Sequence, residues 1–228
     1  MKYSEIFYTL QGEGRLVGVP SVFFRTSTCN LRCLWCDTAY TSWTPENKDI
    51  TVSDAFNAII KFGVKHVVIT GGEPFIQKEE LTILCEKLSA KGHHITIETN
   101  ATIFAPVSAN LISMSPKLSN STPTSLKDKQ WQKVHNRERL KLDVIRLFLD
   151  KYDCQAKFVI SDIQDIQEVL ELSKQLPIPK EMIVLMPQGT QINDIEERQK
   201  WLVEVCKETG YRYSPRLHIN IWGDKRGT

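Results

Sequence analysis

Three cysteines fall within eight residues in the stretch Cys29-Asn-Leu-Arg-Cys33-Leu-Trp-Cys36-Asp37-Thr38, which follows the apolar stretch Val22-Phe23-Phe24-Arg25. Thiolates are soft ligands, and crowded cysteines select zinc or iron–sulfur clusters over hard cations. Structural zinc closes a tetrahedron with four protein ligands. No fourth cysteine lies near the loop, and the nearest histidine, His66, is about thirty residues downstream. Asp37 could complete a zinc site only as a weaker oxygen ligand. A [4Fe-4S] cube held by three thiolates instead leaves one iron open, where a small molecule can be chelated.

At 228 residues the chain is long enough to bury one core, and it reads as a single domain over 1–228. A complete eight-stranded barrel takes about 250 residues, so a barrel here is expected to be partial. The 29 basic and 27 acidic side chains nearly cancel, which gives no footprint for direct nucleic-acid binding. Residues 1–14 lack the apolar stretch of a signal peptide, and the longest apolar run is 182–186. A cytoplasmic protein without a membrane segment is expected, its six cysteines reduced.

Strands are predicted at 3–10, 20–26, 66–70, 95–98, 111–114, 157–160 and 182–186, with a last one opening the tail at Tyr213. Helices are predicted at 51–62 with Ser53 as N-cap, and at 78–91, 137–152, 165–175 and 196–209. Leu81, Leu84, Cys85 and Leu88 recur at helical spacing, as do Leu140, Val144, Leu147 and Phe148; Leu202, Val205 and Cys206 point inward from the last helix. The polar segment 119–136 reads as a surface loop. His66, His93, His94 and His135 read as satisfied surface or core residues.

Strands alternating with helices imply right-handed βα units and a parallel sheet, hence an α/β fold. The unusual residues follow strand ends: the cysteine loop, Gly71-Gly72-Glu73-Pro74, Thr99-Asn100, Ser115-Pro116-Lys117 and Pro187-Gln188-Gly189. Those ends share one rim in barrel-like α/β folds, where ligands bind.

The cysteine spacing, with Trp35 directly before Cys36, resembles the cluster loop of the radical S-adenosylmethionine (SAM) enzymes. That resemblance implies a [4Fe-4S] cluster on Cys29, Cys33 and Cys36. Its open iron chelates SAM and passes the electron that releases a 5′-deoxyadenosyl radical. Carbonyls at Gly71 and Gly72 would meet the SAM ammonium, Lys117 its carboxylate, and Ser115 and Gln188 its ribose or base, with Pro116 alongside. Trp35 and Asp37, flanking Cys36, would touch SAM or shield the cluster.

From Leu10-Gln11-Gly12-Glu13-Gly14 to the tail Trp222-Gly-Asp-Lys-Arg-Gly the chain further resembles the 7-carboxy-7-deazaguanine synthase family of queuosine (7-deazapurine) biosynthesis. The resemblance implies a partial, open (β/α) barrel of the radical SAM type that works as a homodimer. It implies a carbon–nitrogen lyase that turns 6-carboxy-5,6,7,8-tetrahydropterin into 7-carboxy-7-deazaguanine and ammonia, with SAM and Mg²⁺. An electron-donor protein such as a flavodoxin or ferredoxin is the implied partner. Glu13 and the backbone of Leu10, Gln11 and Gly12 would hold the pterin edge, and Arg25 and His218 the substrate carboxylate. Thr70 would face the substrate and Thr38 would bind Mg²⁺. An activating enzyme for a glycyl-radical protein shares the loop spacing and the glycine turn, and remains the alternative, followed by a zinc-stabilised interaction module.

Overall fold

In a computed structural model of the chain, residues 1–125 and 128–228 are described, and they carry a sheet of nine strands in the order β3-β1-β2-β4-β5-β6-β7-β8-β9. The strands are β1 (Lys2–Leu10), β2 (Pro20–Thr26), β3 (Lys48–Asp49), β4 (His66–Gly71), β5 (His94–Thr99), β6 (Leu111–Met114), β7 (Cys154–Ile160), β8 (Ile183–Pro187) and β9 (Arg212–Tyr213). From β2 to β9 every pairing is parallel, while β1 and β3 add an antiparallel edge. The two edge strands, β3 and β9, do not pair with each other, so the barrel is open.

Side chains alternate across a strand, and here the alternation sorts two surfaces. One set, including Val22, Phe24, Val67, Ile69, Ile95, Ile97, Ile112, Met114, Phe158 and Ile160, joins the apolar core. The helices cover that face with their own apolar stripes: α1 (Val52–Ile60) with Ala55 and Ile59, α2 (Lys78–Ala90) with Leu81, Leu84, Cys85 and Leu88, and α5 (Ile163–Gln175) with Ile166, Val169 and Leu172. The other set carries the polar groups Arg25, Thr70, Glu98, Ser113 and Lys157, which line a cavity together with Phe23 and Val159. Arg25 pairs in register with Thr70, and Glu98 with Ser113, so one row of polar groups crosses the sheet.

Local chemistry moves several boundaries. Thr51, not Ser53, caps α1 by accepting from the Asp54 amide at 3.1 Å. The helix expected at 137–152 is two helices, α3 (Lys129–Glu138) and α4 (Leu142–Lys151). In α4 the buried residues are Ile145 and Phe148, and Leu147 is exposed. α3 also occupies part of the expected surface loop; residues 126 and 127 of that loop lie outside the described ones. In α6 (Ile192–Thr209), Leu202 and Cys206 are buried while Val205 is half-buried. The tail forms β9 and then α7 (Leu217–Trp222), so His218 sits on a helix and not on a strand. Among the described residues no helix is long and apolar enough to cross a membrane.

Candidate active site

The parallel strands place their C-terminal ends on one rim, and the cavity there measures about 530 Å³. Cys29, Cys33, Cys36, Trp35, Asp37 and Thr38 line it. Gly71, Gly72, Ser115, Lys117 and Gln188 contribute from the strand-end loops, and Leu10, Gln11, Gly12, Glu13, Arg25, Thr70 and His218 also line it. Pro116 alone among the predicted residues is buried behind the lining.

The glycine loop is shaped by close backbone contact with the start of the cysteine loop. Gly72 N–H donates to Thr26 O at 3.2 Å and Glu73 N–H to Thr28 O at 2.9 Å. Gly71 has φ +123°, and a Cβ on it would run into the Thr26 backbone; one on Gly72 would run into Thr28 O. Thr28 itself, directly before Cys29, has φ +74°, unfavourable for a β-branched residue and held there by the Glu73 amide. Gly72→Ala is therefore expected to cost about 3 kcal/mol of stability and to displace the cysteine loop, read as a lower denaturation midpoint together with reduced iron binding after reconstitution. An unchanged midpoint would show that the two loops are not in contact.

The three cysteines are free thiols. Burial pushes the Cys29 and Cys33 thiols up to about 12, with the Leu31 amide for Cys29 and Lys117 for Cys33 pulling the other way. Such thiols stay protonated unless a metal supplies the positive charge. Among the described residues no three His, Cys, Asp or Glu side chains gather closely enough to hold one metal ion. A single zinc needs its sulfurs converging at about 2.3 Å, whereas a cluster takes each thiolate on a different iron. The donor set fits a cluster.

Behind the predicted residues stands a charged hub that the sequence did not reveal. Glu13 accepts from Lys157 Nζ on Oε2 and from Arg216 Nε at 3.1 Å on Oε1, with His218 Nε2 at 3.9 Å. Arg216 also donates to Gly189 O and to Asp37 Oδ2. Burial opposes ionisation of Glu13, but the Lys157 and Arg216 cations outweigh it and hold its carboxyl well below the usual range. Arg216 thus ties the cysteine loop, the N-terminal turn and the loop after β8 to one guanidinium. His218 packs against Gly12, where a Cβ would occupy the ring's place.

Glu73 and Glu98 were also missed. Buried Glu73 accepts from Phe75 N at 3.0 Å, Asn100 N at 2.7 Å and Thr99 Oγ1 at 2.8 Å, and burial raises its pKa to about 7. It binds the glycine loop to the end of β5. Glu98 accepts from Gln11 Nε2 at 3.2 Å and from Thr70 Oγ1 at 2.8 Å in the polar row. A signal existed for Glu73, an acid between Gly-Gly and Pro at a strand end. None existed for Glu98, Lys157 or Arg216.

Residues 23–202 match the model of the radical SAM superfamily. A 7-carboxy-7-deazaguanine synthase of Halobacterium salinarum is 40% identical over 97% of this chain and 90% of its own length. One from Rhodopirellula baltica is 40% identical over 99% and 88%. The chain belongs to the 7-carboxy-7-deazaguanine synthases. The crystal structure of QueE from Escherichia coli superposes with a TM-score of 0.71 at 25% identity, covering 95% of this chain and 94% of that one. SuiB of Streptococcus suis bound to S-adenosylmethionine shares the fold at a TM-score of 0.56 and 15% identity over 85% of this chain. Membership in the synthases displaces the activating-enzyme and zinc-module readings.

Proposed function

We propose that this protein converts 6-carboxy-5,6,7,8-tetrahydropterin into 7-carboxy-7-deazaguanine with release of ammonia, serving queuosine or related 7-deazapurine biosynthesis and tRNA modification. The observation that carries this reading is one cavity lined both by three free thiols and by a row of polar strand residues. Cys29, Cys33 and Cys36 would hold a [4Fe-4S] cluster, whose bound SAM supplies the radical that starts the reaction. Gly71 and Gly72 line the cavity, and their carbonyls would accept from an ammonium group. Lys117, hydrogen-bonded to Ser115 Oγ at 2.7 Å and 5.5 Å above the Trp35 ring, offers its charge to a carboxylate.

The polar lining of the cavity suits a carboxylated pterin. Arg25 engages Glu5 through Nε at 2.7 Å, and its two Nη groups have no hydrogen-bond partner among the described residues. A planar fork with free donors in a cavity matches a carboxylate. Burial holds the His218 imidazole below its ordinary pKa despite neighbouring Glu13, so it is neutral at pH 7 and offers one donor. Each Glu13 oxygen keeps a lone pair for the pterin N–H edge. Thr38 Oγ1, 3.8 Å from Cys36 Sγ, would ligate Mg²⁺, with substrate oxygens and water completing an octahedron that the protein alone does not fill. Cytoplasmic location, a homodimer and a flavodoxin- or ferredoxin-like donor belong to the same reading, as does a single domain over 1–228.

The test is binding of the carboxylated pterin, and of the same pterin without its carboxylate, to reconstituted protein with SAM. The carboxylated ligand is expected to bind at least tenfold more tightly, and Arg25→Ala to abolish the difference. Equal affinity of the wild type for both would overturn the assignment of Arg25.

A further inference from the structure

The loop carrying the cysteines has no regular secondary structure, so its backbone amides must find partners individually. Leu31 N–H donates to Cys29 Sγ at 3.4 Å and Cys36 N–H to Cys33 O at 3.3 Å. The two amides that flank Cys33 are held from outside the loop. Arg32 N–H donates to Nδ1 of His135 at 3.2 Å, and Leu34 N–H donates to Ser121 O at 2.8 Å. These two outside residues are joined to each other, His135 Nε2 lying 2.8 Å from Ser121 Oγ, which donates to Leu118 O at 2.6 Å.

The pattern fixes one tautomer. An amide N–H only donates, so His135 Nδ1 accepts and the ring proton sits on Nε2, pointing at Ser121 Oγ. The imidazole must be neutral for both bonds to exist. His135 is fully buried, and a packed ring holding two bonds in its plane has little freedom to turn. Cys33's own carbonyl accepts from Trp43 Nε1 at 2.9 Å. The Arg32 side chain adds to the clamp, donating to Cys29 O at 2.7 Å and Leu31 O at 2.8 Å while lying 4.1 Å over the ring of Trp131, four residues before His135 on α3. Ser121 and α3 are thus fastened to the cysteine loop at the residues on either side of its middle thiol.

We propose that His135 and Ser121 are positioning residues for the cluster: through the Arg32 and Leu34 amides they fix where the Cys33 thiolate points. This rests on Cys29, Cys33 and Cys36 being the cluster ligands. Groups that orient ligands from behind govern metal retention as strongly as many ligands do, typically by 10–100-fold. A thiolate aimed in advance also recaptures its iron before a competitor removes it.

The experiment compares two near-isosteric variants after anaerobic reconstitution. In His135→Asn the side-chain oxygen takes the place of Nδ1 and still accepts from Arg32. In His135→Gln the amide nitrogen reaches Ser121 but the Arg32 amide loses its acceptor. The readouts are the rate of iron release to a chelator and the midpoint potential of the cluster, beside the melting temperature of each metal-free protein. The Gln variant is expected to release iron about tenfold faster than wild type with a shifted potential, and the Asn variant to stay within about threefold. Two variants that behave alike, or release rates that merely follow melting temperature, would overturn the proposal. If the Gln variant fails to fold, His135→Leu, which also lacks the acceptor for Arg32, takes its place, and if the Asn variant does, Ser121→Ala, which keeps the acceptors of both amides, takes its place. The first is again expected to release iron about tenfold faster than wild type and the second to stay within about threefold, and like rates for the pair overturn the proposal. A wild-type protein that takes up no cluster would refute the cluster reading itself, a separate outcome.

Discussion

Cys33→Ala is expected to give a folded protein that takes up no [4Fe-4S] cluster and cleaves no SAM. The side chain is small and its backbone is held by Trp43, His135 and Ser121 through the residue and its neighbours, so the metal-free fold loses about 1 kcal/mol or less. Losing one of three thiolates removes a third of the ligand set and leaves a second iron without a protein anchor. Cys29→Ala and Cys36→Ala are expected to do the same. The measurement is iron and sulfide content with the visible and electron paramagnetic resonance spectra after anaerobic reconstitution, beside the circular dichroism of the metal-free protein. A variant that keeps a full cluster would remove that cysteine from the site.

Arg216→Met is expected to be the most damaging change away from the cysteines. The guanidinium holds Glu13, Asp37 and Gly189 O at once, and the methionine keeps the volume while leaving two carboxylates without it. Removing one partner of a buried ion pair costs about 3–5 kcal/mol, and Lys157 remains to neutralise part of Glu13, so about 3 kcal/mol is expected. Activity should fall further than stability, because the cysteine loop and the turn carrying Glu13 lose the tie that sets their spacing. The pH response separates this account from loss of packing. Glu13's folded pKa lies well below the ordinary 4.5, so the stability it contributes is present above about pH 4.5 and is lost as the pH falls through its folded value. Arg216→Met should therefore lower stability most near neutral pH and flatten the acid limb of the stability curve. A uniform loss across the whole pH range would show that the guanidinium acts by packing alone.

The sequence exposed what is contiguous and hid what is distant. The cysteine loop could be read because its three cysteines lie within eight residues, and the strand-end loops because apolar runs stop abruptly at Gly-Gly or Ser-Pro. Arg216 could not, since Asp37 is 179 positions away and Glu13 is 203. Lys157 looked like one more lysine in a strand, yet it points inward to a carboxylate 144 residues earlier. Most of α3 reads as a loop in the sequence because Lys-Gln-Trp-Gln-Lys-Val-His-Asn-Arg-Glu holds only two apolar residues, Trp131 and Val134; its tertiary bonds through His135 and Trp131 bind it to the cysteine loop instead. In the tail, Leu217, Ile219 and Ile221 alternate as a strand would, but the Leu217 amide is taken by Gly12 O at 2.9 Å and the segment coils into a helix that sets His218 against Gly12. Periodicity over six residues is too short to decide between the two, and the contact across the chain decided it.

All of these contacts serve one claim, that a single cavity brings cluster, SAM and a carboxylated pterin together. The most direct measurement is turnover by the reconstituted, reduced protein given SAM, Mg²⁺ and 6-carboxy-5,6,7,8-tetrahydropterin without oxygen, following the pterin, the deazaguanine and ammonia by mass spectrometry and a coupled assay. The expected result is pterin consumed and 7-carboxy-7-deazaguanine formed with one ammonia each, both lost when SAM is omitted. SAM cleaved to 5′-deoxyadenosine while the pterin stays intact would contradict the account, leaving the cluster side of the cavity standing and the substrate side wrong.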